Sequence, residues 1–161
     1  MGDKIIRQDL IIKVIYLMLG TQSTFHVLVC MTNQKVVPSK KILLLEDEPC
    51  LRMLVAEVIH DLGIDVIALP SADTGYMILE KHSDNIDLLI SDIRMPGKMD
   101  GVDLANRVMS QWPHISIVLM SGYDGQALAS LAKPTVFISK PWDIAALQQT
   151  LLTALSRPGF G

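Results

Sequence analysis

Five polar residues of this sequence could do chemistry together: Glu46, Asp47, Asp92, Ser121 and Lys140. Three carboxylates brought to one place repel one another unless something positive sits among them. Hard oxygen donors with open positions suit Mg2+, which takes a few carboxylates together with water and phosphate. Lys140 offers a second positive charge that meets a phosphoryl oxygen as a point charge. Ser121 offers a hydroxyl donor to the same group. An aspartate beside Mg2+ and a lysine is chemically suited to attack phosphorus and form an aspartyl phosphate, while the two cations offset charge on the group in transfer. Asp92 is the carboxylate best placed for this, because it ends the apolar run Leu88-Leu89-Ile90 and is followed by Ile93-Arg94-Met95-Pro96. Taken alone, an aspartate after a strand is as often a turn former or helix cap.

The elements that must position these side chains are legible in the apolar pattern. Lys41 to Leu45 reads as a buried strand ending in Glu46-Asp47-Glu48. Pro49 then suits the first turn of a helix carrying Leu51, Leu54, Val55, Val58, Ile59 and Leu62 on one stripe, with Gly63 just past its end. Ile64 to Leu69 is a second strand, and Ser71 caps a helix running to about His82, with Tyr76 and Leu79 inward. Ile86 to Ser91 is apolar without alternation and too short for a helix, the pattern of a strand buried on both faces. A loop from Met95 to Gly101 leads to a helix with Val102, Ala105, Val108 and Met109 inside, stopped by Trp112-Pro113. Ile115 to Met120 is a fourth strand followed by Ser121-Gly122. A short helix spans about Gln126 to Leu131, before Pro134. Thr135 to Ser139 is a fifth strand ending in Lys140-Pro141, and a last helix starts near Asp143 with Ile144, Leu147, Leu151 and Leu155 apolar. Strands alternating with helices mean βαβ units and a parallel α/β sheet, with helices on both faces. All five polar residues then fall at the carboxyl edge of one sheet, where open α/β sheets bind ligands.

Composition narrows the alternatives. The chain has 161 residues, half of them hydrophobic and 19% charged, which is globular composition with room for a real core. A net charge of −3 with no block of Lys or Arg gives no electrostatic footprint for direct nucleic-acid binding. Cys30 and Cys50 have neither disulfide nor metal-ligand spacing, so a reducing, cytoplasmic compartment is expected. Residues 1–40 differ from the rest. Leu10 to Leu19 is strongly apolar but contains Lys13, and Gly20 to Thr24 interrupts it, short of the roughly 20 apolar residues of a membrane span. We expect an extension outside the core fold, with an extra helix or strand packed on the domain, membrane-surface association or a start at Met31 as alternatives.

The ordered set resembles the receiver domain of two-component response regulators. It consists of the Glu46-Asp47 pair, Asp92-x-x-Met95-Pro96 with Asp100-Gly101 further along the same loop, Ser121-Gly122 and Lys140-Pro141, each of these four after its own strand, and covers Lys41 to about Leu155. Each piece is weak alone; the set in order is specific. The resemblance implies a doubly wound, flavodoxin-like five-stranded sheet of order 2-1-3-4-5, an arrangement for which a receiver protein is itself a standard example. It implies Asp92 as phosphoacceptor, with Mg2+ bound by Asp47, by Glu46 directly or through water, by Asp92 and by the backbone carbonyl of Arg94. It implies that Lys140 contacts the phosphoryl group, joined by Ser121 after phosphorylation, that Lys140-Pro141 is cis, and that Phe137 is the switch aromatic. It also implies a histidine kinase or phosphotransfer protein as donor, and a signalling phosphoprotein rather than an enzyme.

The expected layout is an extension over residues 1–40, a receiver over 41–157 and a tail over 158–161, with no output domain. Two departures from the family stand out. The loop through Gly97-Lys98 is one residue longer than its commonest form, and the stretch from Ser121 to Lys140 is short, so the fourth helix should be truncated. Two other readings stay open at this point: an aspartate-nucleophile phosphatase of the haloacid-dehalogenase type, although Arg94 and Pro49 stand where its second aspartate would be, and a binding module on the same fold that is never phosphorylated.

Overall fold

The computed structural model describes residues 40–122, 129–133 and 135–156, all within one compact unit, Pro38–Gly161. The expectations for residues 1–39 and 158–161 lie outside the described residues. In chain order the elements are β1 (Lys41–Leu45), α1 (Pro49–Asp61), β2 (Asp65–Leu69), α2 (Ala72–His82), a 3-10 turn (Ser83–Asn85), β3 (Leu88–Asp92), α3 (Gly101–Gln111), β4 (Ser116–Ser121), β5 (Val136–Ser139) and α4 (Ile144–Ser156). The strands form one parallel sheet in the order β2-β1-β3-β4-β5, which is the expected doubly wound order. Among the described residues no helix is long and apolar enough to cross a membrane.

Strand alternation divides the core into two layers. Leu43, Leu45, Leu89, Ile117 and Leu119 face one way and pack with Leu79 of α2 and Leu104, Ala105 and Val108 of α3. Ile42, Leu44, Leu88, Ile90, Val118 and Met120 face the other way, against Val55, Val58 and Ile59 of α1 and Leu147, Leu151 and Ala154 of α4. The central strands are apolar on both sides because both sides are covered. Leu54 departs from the stripe expected of α1: it is 45% exposed, because it sits at the edge of the arc that Val55, Val58 and Ile59 turn toward the sheet.

The caps follow the sequence closely. Pro49 opens α1, Gly63 has a φ of 72° just past its end, and the Ser71 hydroxyl accepts from the N–H of Thr74. Asp143 caps α4 by accepting from the N–H of Ala146 at 2.7 Å. β3 begins two residues later than expected, because the N–H of Ile86 closes the 3-10 turn on the Ser83 carbonyl at 3.0 Å. Asp87 then fastens the amino edge of the sheet. Its side chain accepts from the Lys41 N–H at 2.8 Å and from Lys40 Nζ at 2.7 Å, and its own N–H bonds the Lys41 carbonyl at 2.9 Å. The expected short helix before Pro134 is partly outside the described residues (126–128); Ala129 and Ser130 form a turn instead. Their neighbours are held by Asn106 of α3, whose amide donates to the Ser130 carbonyl at 3.0 Å and accepts from the Ala132 N–H at 2.8 Å.

Candidate functional site

The carboxyl edge of the sheet gathers the residues singled out above. Glu46 and Asp47 follow β1, Asp92 ends β3, Ser121 ends β4 and Lys140 follows β5. Asp92 is paired in register with Met120, one residue short of Ser121, and Ser121 with Ser139, one residue short of Lys140. Parallel pairing therefore brings to one rim groups separated by up to 94 residues.

Lys140 is the centre of the arrangement. Its Nζ donates to Glu46 Oε2 at 2.8 Å and to Asp92 Oδ2 at 2.6 Å. The Lys140-Pro141 peptide is cis, as expected, and the Lys140 N–H bonds the Ser121 carbonyl at 2.8 Å, so the ends of β4 and β5 are tied at the level of the site. The other oxygen of Asp92, Oδ1, accepts from the Arg94 N–H at 3.2 Å, which fixes the plane of the carboxylate. Glu46, Asp47 and Asp92 each offer an oxygen, all within 4.8 Å of one another. That donor set fits Mg2+: it is all hard oxygen, and three carboxylates against one ammonium leave two negative charges, which one divalent cation cancels.

The close approach of α3 makes room for nothing larger than hydrogen at Gly101. A Cβ there would fall on the backbone carbonyl oxygen of Asp92, and the Gly101 N–H bonds the Ile93 carbonyl at 2.9 Å. The Asp100 and Asp103 side chains each accept from the other's backbone N–H, a capping box that starts α3 at this point. The longer loop is taken up sideways: the Asp73 side chain at the start of α2 accepts from the Lys98 N–H at 2.9 Å. Phe137 is half-buried and packs on the layer that contains Leu119. The sequence reading missed Asp73 and Asn106, whose exposed-looking polar types carry no periodic signal.

Burial shifts the site's titrations. Burial raises the Glu46 carboxyl above the ordinary glutamate value of 4.5, against the opposing hydrogen bond and charge of Lys140. Burial alone would lower Lys140, but its hydrogen bonds and charge interactions with Asp92 and Glu46 outweigh it and raise the group above 10.5. The two act on stability with the same sign, in different pH windows. The Lys140 contribution is complete below 10.5 and is lost only as pH rises through its raised value. For Glu46 the folded state favours the protonated form, so its contribution improves as pH falls through the raised value toward 4.5. In Mg2+-free buffer, wild-type protein is therefore expected to gain more thermal stability between about pH 7 and pH 5 than Glu46→Gln does. Melting curves of the two proteins across that range check it; parallel curves would remove the assigned role of Glu46.

The sequence profile of the response regulator receiver domain matches residues 42–152. The response regulator protein FleR of Pseudomonas aeruginosa is 30% identical over 110 residues, 66% of this chain and 23% of FleR. The sensor kinase CckA of Brucella abortus is 29% identical over 122 residues, 74% of this chain and 13% of CckA. This chain thus spans less than a quarter of either relative's length. Among solved structures, a response regulator receiver protein from Sinorhizobium medicae superposes with a TM-score of 0.68 at 28% identity, covering 73% of this chain and 94% of that one.

Proposed function

This chain belongs to the response regulator receiver domain family, and on that premise we propose that Asp92 accepts a phosphoryl group from a phosphorylated histidine of a kinase or phosphotransfer protein, in a Mg2+-dependent reaction. The observation that carries the reading is the Lys140 ammonium held between Glu46 and Asp92 beside a third carboxylate, Asp47. Glu46, Asp47, Asp92 and the backbone carbonyl of Arg94 would hold Mg2+. When bound, the ion supplies positive charge facing the phosphoryl oxygens.

The step itself uses groups of this chain. An Asp92 carboxylate oxygen attacks phosphorus and forms the acyl phosphate bond. The P–N bond to the histidine breaks, and its electron pair stays on the ring nitrogen, which takes a proton from solvent. The Arg94 N–H keeps the carboxylate plane fixed during attack. Lys140 exchanges its bond to the Asp92 carboxylate for one to a phosphoryl oxygen, and so loses no partner. Ser121, at the end of the neighbouring strand, then donates to the same group, and Phe137 on β5 turns inward as Ser121 moves. The phosphorylated state favours one of two packings of that face, and a protein partner reads it. We assign this receiver to residues 41–157 and place it in the cytoplasm, without direct nucleic-acid contact.

Incubation with radiolabelled phosphoramidate, with and without Mg2+, tests the proposal. The expected product is a Mg2+-dependent, hydroxylamine-labile label that borohydride trapping maps to Asp92. Absence of label in the presence of Mg2+, or label on another residue, would overturn it.

A further inference from the structure

The turn between β1 and α1 carries two of the three carboxylates, and its backbone has an unusual destination. The side-chain Nη1 of Arg52 donates to the carbonyl of Glu46 at 2.6 Å and to the carbonyl of Asp47 at 3.2 Å. The main-chain N–H of Arg52 takes the carbonyl of Glu48 at 2.9 Å. Three successive carbonyls thus end on one residue. The Glu46 N–H is used by the Leu69 carbonyl of β2 at 3.1 Å, and Pro49 has no N–H to give. Arg52 is therefore the anchor from the helix side, as Leu69 is from the sheet side.

Electrostatics alone argues against a cation there. Arg52 is the fourth residue of α1, in the first turns of a helix, where the macrodipole disfavours positive charge. A guanidinium beside the acidic pair also repels an incoming divalent cation. Its compensation is geometric: one nitrogen of a planar, rigid guanidinium bridges two adjacent carbonyls, in a direction that the shorter, freely rotating ammonium of a lysine would hold less firmly. We propose that Arg52 is a positioning residue for the cation site, holding the Glu46-Asp47 backbone so that both carboxylates present their oxygens together. The proposal rests on the reading of those carboxylates as Mg2+ ligands.

Calorimetric titration of the full chain with Mg2+ alone separates geometry from charge, using wild type, Arg52→Met and Arg52→Lys. Positioning predicts that R52M binds Mg2+ about tenfold more weakly, the usual scale for groups that orient metal ligands. R52K, which keeps the charge but loses the planar guanidinium and its reach, should fall between R52M and wild type. It also predicts a split in phosphoramidate labelling: the half-saturating Mg2+ concentration rises, while the rate at saturating Mg2+ stays at the wild-type level. Tighter Mg2+ binding by R52M would mean that Arg52 acts only as a charge, and would overturn the proposal. Unchanged Mg2+ affinity with a lowered melting temperature would mean a purely structural role, and would overturn it as well. If R52M does not fold, R52K decides the matter, since a charge-only role predicts wild-type affinity for it. Wild-type protein that binds no Mg2+ would sink the cation-site reading itself, and this inference with it.

Discussion

Asp92→Asn is expected to reduce acceptance of phosphate to background while leaving a folded protein. The reason is chemical rather than steric. An amide oxygen is a poor nucleophile, and the substitution also takes one of three negative charges from the cation site, so Mg2+ binding should weaken about tenfold or more. The packing should survive. The Arg94 N–H now bonded to Asp92 Oδ1 at 3.2 Å finds an amide oxygen in the same place, and Lys140 keeps Glu46 as its partner. Loss of one ion pair is offset by relief of repulsion among the carboxylates, so stability should stay within about 1 kcal/mol of wild type. Labelling with phosphoramidate, together with urea unfolding, checks both halves. Undiminished labelling of the folded variant would remove Asp92 from its assigned role.

Lys140→Met is expected to have the largest effect on stability. Lys140 Nζ is bonded to Glu46 Oε2 and Asp92 Oδ2, and the Glu46 side chain is 2% exposed. Removing the ammonium leaves a buried carboxylate uncompensated, next to two others. Breaking one side of a buried pair costs about 3 kcal/mol or more, and solvent near the rim keeps the loss toward the lower figure. The sign of the pH dependence follows. Without Lys140 the Glu46 carboxyl moves further above its ordinary value, so the variant should recover stability on acidification more steeply than wild type. Mg2+ should recover it too, since a ligand that binds only the folded state stabilises it. Unfolding curves at about pH 7 and pH 5, with and without Mg2+, measure this. A variant as stable as wild type in Mg2+-free buffer at neutral pH would show that the ion pairs contribute nothing.

What the sequence made legible is what apolar pattern and strand-end chemistry encode. Leu88-Leu89-Ile90 announces a strand covered on both faces, and the polar residue that ends each such run must lie on one rim if the runs are parallel. That is why Glu46, Asp47, Asp92, Ser121 and Lys140 could be gathered without knowing a distance. Boundaries were less legible where local hydrogen bonding competes with pattern. Ile86 is apolar and buried, yet its N–H closes a turn instead of joining the sheet. Leu54 is apolar yet exposed, because composition does not say how wide an arc of α1 the sheet covers. The side chains that fasten loops and turns were least legible. Asp73, Asn106 and Arg52 all bond backbone groups far from their own periodic pattern or across a turn. Only Arg52 left a clue, a cation at the wrong end of a helix.

The Asp87 fastening has a consequence for how this sheet finds its alignment. Residues 42–45 of β1 are Ile-Leu-Leu-Leu, buried on both sides. A shift by one position normally turns an apolar face outward and is rejected for that reason; here it would exchange one leucine for another. Burial therefore discriminates poorly among neighbouring alignments, and the choice falls to the polar ends of the strand. By gripping Lys41 at the opposite edge, Asp87 decides which residue of β1 emerges first at the other edge. A carboxylate a full strand length from the chemistry thus sets which acid arrives there.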